Sequence, residues 1–294
     1  MLNISKETRF LIRKALREDI GTRDITTEAL IPRNAIAKAC IEAKQDGILC
    51  GGPVVSEVFR QIDSKLKVVQ KVRDGAQVRK GQGVFTIRGR IRPILKAERT
   101  ALNFLGRLSG VATLTHEFVA LTRGTKAQVL DTRKTTPLWR ELEKYAIRCG
   151  GGKNHRFGLW DEILVKDNHW VAIRPLLEKT ACRYFAARLK SIRLRKIPLE
   201  VEVGNLRQLT HLLDGDFLPD RILLDNFPVR ALKKAVQMVR KRRAKLLLEA
   251  SGGINLLNVR RIAKTGVDRI SIGALTHSVS ALDFSLEIER VFSK

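Results

Sequence analysis

Acidic and aromatic residues are both scarce in this chain of 294 residues. Asp and Glu number 30 against 56 Lys and Arg, which gives a formal net charge of +26, and aromatic residues make up 5%. Such a charge attracts polyanions without sequence specificity. No zinc-finger, RNA-recognition or helix-turn-helix pattern accompanies it. We therefore expect nucleic acid to bind only non-specifically, through net charge. A non-enzymatic nucleic-acid binder is the competing hypothesis.

Long apolar runs and spaced cysteine pairs are also missing. No stretch is long enough to span a bilayer, and the N-terminal segment is charged from its start and lacks the apolar core of a signal peptide. Cys40, Cys50, Cys149 and Cys182 lack the paired spacing of metal ligands, which indicates reduced thiols. No GxGxxG fingerprint follows a predicted strand, which argues against a dinucleotide-binding domain. We therefore expect a cytoplasmic protein without a membrane partner.

Hydrophobic periodicity changes twice along the chain. Residues 6–20 have the pattern of an amphipathic helix, residues 35–88 that of short strands joined by glycine turns, and residues 92–122 that of one long helix. After this helix about six strand-like runs alternate with helical segments, which implies parallel pairing through crossovers. This number of units fits a β/α barrel, or a truncated relative of one, better than a doubly wound sheet. The helical segments are predicted at 137–149, 170–192, 205–213, 228–243 and 255–265.

Charged residues follow several of the predicted strands. Chemistry in β/α barrels takes place at the carboxyl ends of the strands, and buried strand ends tolerate charge only where it meets a ligand or a partner. Arginine and lysine at such a site suit a dicarboxylate, whereas the carboxylates Glu202 and Asp225 suit Mg²⁺ or ribose hydroxyls. A buried ion pair of Glu202 with Lys134 or Lys166 is the alternative. The strand-end residues are Asp131, Arg133, Lys134, Lys166, Glu202, Asp225, Glu249 and Ser251.

Two glycine-containing loops come after the last predicted strands. SGGI at 251–254 and SIGALTHS at 271–278 each follow a strand and precede a helix. Loops at this position in barrels commonly bind phosphate through backbone N–H groups. We therefore predict phosphate binding at Ser251, Gly252, Gly253, Gly273 and Ala274.

The central stretch DTRKTTPLWRELEKYAIRCGGGKNHRFGLWDEILVKDNH resembles the signature of the quinolinate phosphoribosyltransferases. Further segments resemble that family in the same order, among them EDIGTRDITTEALI, ERTALNFLGRLSGVAT, LEVEV, ILLDN and LEASGGI. The resemblance implies an enzyme of NAD biosynthesis that transfers phosphoribosyl from phosphoribosyl pyrophosphate to quinolinate. Nicotinate mononucleotide, pyrophosphate and CO₂ are the implied products, and Mg²⁺ is the implied cofactor. A related enzyme that accepts nicotinate or another acid is the alternative.

The resemblance also implies an α/β fold in three parts. These are an N-terminal α+β lobe at residues 1–110, an open β/α barrel at 111–275, and a C-terminal helix at 276–294 that packs back on the lobe. The residue after Pro137 is a leucine where relatives often have a glycine.

Carried over position by position, the resemblance assigns roles to most of the strand-end residues. It places Lys134 at the reacting centre and gives Glu202 and Asp225 catalytic roles near ribose and metal. It implies a homodimer, or a higher oligomer, in which Arg99 is donated to the neighbouring subunit's site. The implied substrate-binding set is Arg99, Thr132, Arg133, Lys134, His155, Arg156, Lys166, Glu202 and Asp225.

Overall fold

The computed structural model describes residues 2–177, 187, 188, 191, 197–215, 218–243 and 245–292. Cys182 and much of the predicted helix 170–192 lie outside the described residues. The chain separates into two compact units, a first made of Met1–His116, Thr135–Gly151 and Leu275–Lys294, and a second made of Glu117–Lys134 and Gly152–Ala274. Among the described helices, none has the length and apolar character needed to cross a membrane.

The first unit is built on a four-stranded antiparallel sheet in the order β12-β1-β5-β3, in which β12 is the C-terminal strand Phe284–Phe292. A separate two-stranded antiparallel sheet is formed by β2 and β4. The alternating runs predicted between residues 35 and 88 account for five of these strands, which confirms that prediction. The elements of this part are α1 (Lys6–Ile20), α2 (Ile25–Leu30), β1 (Ile36–Ala43), β2 (Gly47–Ile48), α3 (Gly52–Ile62), β3 (Lys67–Gln70), β4 (Gln77–Val78), β5 (Gly83–Arg90), α4 (Ile91–Thr122) and α5 (Arg140–Cys149).

The long helix α4 supplies much of the apolar core of the first unit. One face of this helix is apolar, and each of its side chains is fully buried. A glycine on the same helix permits close approach of the C-terminal segment: a Cβ on Gly110 would lie 2.2 Å from the carbonyl oxygen of Ser280. The buried residues of the face are Ile94, Ala97, Ala101, Leu105 and Leu108.

The C-terminal segment is a strand, so the predicted C-terminal helix is wrong. β12 (Phe284–Phe292) pairs antiparallel with β1, from Ala43 opposite Phe284 to Ile36 opposite Phe292. The sequence FSLEIERVF alternates apolar and polar residues at its start, which is the period of a strand. Pairing with a strand some 250 residues earlier decides its conformation, and local periodicity carries no information about that partner.

Residues 135–151, predicted to belong to the barrel, group with the first unit. α5 is tied there by polar side chains. Glu143 accepts from Arg107 Nη2 at 3.1 Å, and the hydroxyl of Tyr145 donates to Asp74 at 2.7 Å. These bonds give the amphipathic helix its partners in the first unit, which explains the difference from the predicted boundary.

The second unit contains a six-stranded parallel sheet in the order β6-β11-β10-β9-β8-β7. These are the strands of the six or so units that the sequence predicted after the long helix. A parallel bridge between Leu130 and Lys153 extends the sheet beyond β6. Together with the helices that alternate with the strands, this confirms the predicted open β/α barrel. The elements are β6 (Gln128–Leu130), β7 (Ile163–Val165), α6 (Asp167–Leu177), β8 (Leu199–Val203), α7 (Leu206–Asp214), β9 (Arg221–Asp225), α8 (Val229–Arg242), β10 (Leu247–Ser251), α9 (Val259–Ala263) and β11 (Arg269–Ser271). The short helix α10 (Ala274–His277) begins at the last residue of this unit, and its other residues belong to the first unit.

Candidate active site

Parallel pairing brings the carboxyl ends of the barrel strands to one edge of the sheet. Asp225 ends β9 and pairs with Ser251, which ends β10. Lys166 directly follows β7, and Thr132, Arg133 and Lys134 follow β6 after one intervening residue. Thr132, Arg133, Lys134, Lys166, Asp225 and Ser251 therefore share one edge, as the sequence implied. Glu249 does not lie at a strand end: it is the middle residue of β10 and is fully buried.

Two arginines of this edge carry charges that repel each other. Burial lowers the pKa of the Arg156 guanidinium, and the positive charge of Arg133 lowers it further. Nε of Arg133 is buried and has no hydrogen-bond partner among the described residues. Arg156 is anchored by a bond of 3.0 Å from its Nη1 to the carbonyl oxygen of Glu162. An anion bound between the two guanidinium groups would relieve the repulsion and supply the missing acceptor.

A buried aspartate shapes the loop that carries Arg156. Asp131 is fully buried, and its two carboxylate oxygens accept from the side-chain amide of Asn154 at 2.7 Å and from the backbone N–H of His155 at 2.8 Å. Charge-assisted bonds of this kind are stronger than neutral ones. Asp131 therefore stabilises the conformation of residues 154–156. This structural role explains why an acidic residue lies among so many cations.

His155 lies between two fully buried carboxylates. Its Nε2 is 3.0 Å from Oε2 of Glu200 and 3.4 Å from Oε1 of Glu249. Burial alone would lower the pKa of His155, but the two carboxylates outweigh it and raise that pKa to about 9. Burial and the charge of Glu249 raise the pKa of Glu200. The cluster thus retains an additional proton.

The other ring nitrogen of His155 faces the loop. The backbone N–H of Arg156 points at Nδ1, with 2.7 Å between the two nitrogens. Since both ring nitrogens contact protein partners, His155 fixes the position of Arg156 in this structure.

Glu200 was not singled out from the sequence, although a signal for it is present. The run LEVEV alternates strictly, so Glu200 and Glu202 point to the same face of β8 while Leu199, Val201 and Val203 are buried on the other. Glu202 was selected as a charged residue at a strand end, whereas the alternation within LEVEV would have identified Glu200 on the same face as well.

Glu202 is paired with Lys166. The distance from Lys166 Nζ to Glu202 Oε2 is 3.5 Å, with the lysine side chain 47% exposed and the glutamate 12%. This matches the ion pair considered as the alternative for Glu202. Asp225 accepts from the side-chain amide of its neighbour Asn226 at 2.8 Å. Because the Lys166 side chain is about half exposed, it remains accessible to a ligand.

The loop after β10 is shaped for close backbone approach. Gly252 and Gly253 have φ values of +91° and +60°, and a Cβ on Gly252 would lie 2.1 Å from Oδ1 of Asn226. A Cβ on Gly253 would meet nothing within 4 Å, so its outer side is open. Consecutive residues in this conformation form concave arrangements of N–H groups that bind anions. Gly273 follows β11, and Ala274 begins α10.

Oxygen ligands of this edge suit a hard cation. Glu202 and Asp225 come from neighbouring strands and offer carboxylates, the type of ligand that Mg²⁺ takes from a protein when substrate phosphates complete its coordination. Among the described residues, the clusters of three potential metal ligands are His155/Glu200/Glu249 and Cys50/Asp74/Cys149, and neither includes this pair. The residues present therefore fit a metal shared with a phosphorylated substrate rather than one held by protein alone.

The fold and this site define an α/β-barrel enzyme with a cationic strand-end site for an anionic substrate. The chain matches the family models for the N-terminal domain of quinolinate phosphoribosyl transferase at residues 24–109 and for its C-terminal domain at residues 111–287. The chain therefore belongs to the quinolinate phosphoribosyltransferase family.

Individual relatives agree with the family models. The carboxylating nicotinate-nucleotide pyrophosphorylase of Mycobacterium leprae is 43% identical over 282 residues, which cover 94% of this chain and 95% of the relative. The decarboxylating quinolinate phosphoribosyltransferase 2b of Nicotiana tabacum is 39% identical over 295 residues, covering 95% and 81%. The structure of the nicotinate-nucleotide pyrophosphorylase from Francisella tularensis superposes with a TM-score of 0.85 at 38% identity and covers 98% of both chains.

Proposed function

We propose that the strand-end site of the second unit is the active site of this chain. The chain is a phosphoribosyltransferase of NAD biosynthesis that uses quinolinate as its acceptor. The observation that supports this location is the repelling pair Arg133 and Arg156, with a buried guanidinium nitrogen that has no partner among the described residues. A dicarboxylate provides both the charge and the acceptors that this pair lacks.

The acceptor's two carboxylates would be bound by Arg133, Arg156 and Lys166. Quinolinate carries carboxylates on adjacent ring carbons, so one guanidinium can bind each group while the ammonium of Lys166 adds a point charge. Thr132 completes this set. It already caps the loop, since its hydroxyl accepts the backbone N–H of Lys134 at 3.0 Å. His155 contributes by holding the Arg156 backbone.

The reaction needs no nucleophile from the protein. A bond forms between the ring nitrogen of quinolinate and C1 of the ribose as the bond from C1 to pyrophosphate breaks. The carboxylate on the carbon next to the nitrogen leaves as CO₂, and a proton takes its place to give nicotinate mononucleotide. Lys134 would stabilise charge at this centre, and catalysis would come mainly from positioning and electrostatics.

The phosphates of the donor would bind the two loops after β10 and β11. Ser251, Gly252 and Gly253 offer one cradle, and Gly273 with Ala274 offers the other. Glu202 and Asp225 would hold Mg²⁺ or the ribose hydroxyls at the neighbouring strand ends. When bound, Mg²⁺ would neutralise part of the charge on the departing pyrophosphate.

A homodimer, or a higher oligomer built from it, would complete the site through Arg99. This arginine of α4 is exposed, and no hydrogen bond or ion pair is found for its side chain among the described residues. An exposed cation that makes no hydrogen bond or ion pair among the described residues is available to an anionic substrate bound by a second chain.

A cytoplasmic location is also proposed. The three described cysteines, Cys40, Cys50 and Cys149, are free thiols, which a reducing compartment maintains. Cell fractionation would test this.

The first experiment measures nicotinate mononucleotide formation from phosphoribosyl pyrophosphate and Mg²⁺, with quinolinate and nicotinate as parallel acceptors. Product from quinolinate alone is expected. Product from nicotinate alone would reject the acceptor while leaving the fold intact. To test the location, Arg156→Gln should raise KM for quinolinate by about 10-fold or more. Lys153→Gln, which removes an exposed cation from the same loop, should change it little.

A further inference from the structure

The first unit contains a basic cleft between α1 and α3, and none of the residues assigned to the reaction lines it. Its volume is about 510 Å³, which is within the size range of small-ligand sites. Four arginines line it, three from α1 and one from α3, against a single carboxylate, Glu57. We call it the α1–α3 cleft; its arginines are Arg9, Arg13, Arg17 and Arg60.

The three arginines of α1 form a regular row. They recur every fourth residue, which places them on one face of the helix at intervals of about 6 Å. Side chains so placed repel one another, and exposed helices usually avoid this arrangement by alternating charge. The adjacent side of α1, about 100° round the helix, packs inward through Thr8, Ile12 and Leu16. The row therefore has no role in forming the core.

The one carboxylate of the α1–α3 cleft is already saturated. Glu57 accepts from Arg60 Nε at 2.8 Å, from Arg60 Nη2 at 2.6 Å and from Gln61 Nε2 at 2.9 Å. Burial opposes its ionisation, but these hydrogen bonds outweigh burial, so the pKa of Glu57 is lowered. Its Oε1 lies 3.8 Å from Arg9 Nε, a contact at the edge of ion-pair range. Glu57 thus neutralises Arg60 and engages Arg9 only weakly.

Arg13 and Arg17 remain without countercharge. Both are exposed, and neither side chain has a hydrogen bond or an ion pair among the described residues. Arginine is the side chain best suited to phosphate, because its planar donors match two phosphate oxygens at once. Two or three such groups spaced along a cleft would contact successive phosphates of one ligand.

We propose that the α1–α3 cleft binds a small ligand carrying several phosphates, such as a nucleotide or an inorganic polyphosphate. The ligand lies along α1, with Arg13 and Arg17 as its principal contacts and Arg9 as a third. A site of about 510 Å³ matches a small molecule, whereas a nucleic-acid strand would extend well beyond it.

The test uses inorganic tripolyphosphate with the intact chain. Arginines are modified with phenylglyoxal, with and without the ligand, and mass spectrometry measures the extent of modification of each arginine. Protection of Arg13 and Arg17 by about 5-fold or more is expected, at concentrations that leave Arg260 and Arg261 unprotected. Arg260 and Arg261 are exposed neighbours on α9 and report the effect of net charge alone. Equal protection of both pairs, or none, overturns the proposal.

Variants provide an independent measurement. Arg13→Ala with Arg17→Ala should weaken tripolyphosphate binding by about 10-fold or more, whereas Arg260→Ala with Arg261→Ala, an equal change in net charge, should not. Steady-state constants for quinolinate should be the same in both double variants, which separates this cleft from the active site. A single-stranded oligonucleotide that protects Arg13 and Arg17 where tripolyphosphate does not would also overturn the proposal.

Discussion

Nε2 of His155 lies 3.0 Å from Oε2 of Glu200, and both side chains are buried in the second unit. Glu249 approaches the same nitrogen from another strand at 3.4 Å. Two carboxylates around one imidazole are tolerated in a buried place only if the cluster keeps a proton. The arrangement links the interior of the barrel to Arg156, because Nδ1 of the same ring holds that arginine's backbone N–H.

Stability should therefore decline at alkaline pH. The pKa of His155 is raised from 6.5 to about 9 in the folded chain, so its contribution is fully present below pH 6.5 and is lost as pH rises through 9. A shift of this size corresponds to about 3 kcal/mol. Urea unfolding between pH 6 and pH 10 measures it. Glu249→Gln should flatten the profile, and an unchanged slope in that variant would contradict the assignment.

The loop after β10 should respond differently to the same substitution at adjacent positions. Gly252→Ala places a Cβ 2.1 Å from Asn226 Oδ1 at a φ of +91°, so the loop must shift; we expect KM for phosphoribosyl pyrophosphate to rise by about 10-fold. Gly253→Ala has open space and a φ of +60°, so it should cost about 1 kcal/mol of stability with little change in KM. Steady-state kinetics and thermal unfolding of the two variants distinguish a phosphate cradle from a simple turn.

Glu143 should be a strong determinant of stability. It is fully buried and accepts from Arg107, from the backbone N–H of Thr136 and from the Thr136 hydroxyl. Glu143→Ala leaves the two Thr136 donors without this acceptor and removes the countercharge of Arg107, and we expect a loss of about 3 kcal/mol in the free energy of unfolding.

Glu141→Ala provides the matched control for Glu143→Ala, since it makes the same change on the same helix at a partly exposed position. Glu141 accepts only from the hydroxyls of Ser5 and Thr8 among the bonds described, so a loss of about 1 kcal/mol is expected. Denaturant unfolding measures both variants. Equal losses would show that burial of the Glu143 charge contributes nothing extra.

Mixing two inactive variants should restore activity if Arg99 acts across a dimer. In a mixed dimer of Arg99→Ala and Lys134→Ala chains, one site receives an intact Arg99 and an intact Lys134. After random exchange about a quarter of all sites should be active. Activity is measured after mild dissociation and reassociation. An Arg99→Ala enzyme that is fully active by itself, or a mixture that stays inactive, would reject shared sites.

The parallel sheet and its active edge could be predicted from sequence because both depend on local patterns. Short apolar runs, each followed by a charged residue, identify strands and their ends, and the parallel crossover rule brings those ends together without any knowledge of contacts. Lys166 and Asp225 were found in this way. The assignment of Glu202 to an ion pair or a ligand needed the measured distance to Lys166.

Features that depend on distant partners could not be predicted in the same way. The strand conformation of 284–292 depends on the free edge of β1, and the grouping of α5 depends on Arg107 and Asp74. The raised pKa of His155 depends on Glu200 and Glu249, which two different strands bring to the same ring. Arg99 has the pattern of an ordinary exposed helix residue, and only family resemblance assigns it a role.

The antiparallel pairing of β12 with β1 has a consequence for synthesis of the chain. The second unit precedes β12 in the chain, so all of its strands can leave the ribosome and pair before β12 is synthesised. During this time one edge of β1 is unpaired. An open edge is a template for pairing with another chain, and contacts between the two ends of a sequence form slowly. The nascent protein must therefore protect that edge until translation ends. Deleting the final strand should yield insoluble protein even though the barrel is left untouched.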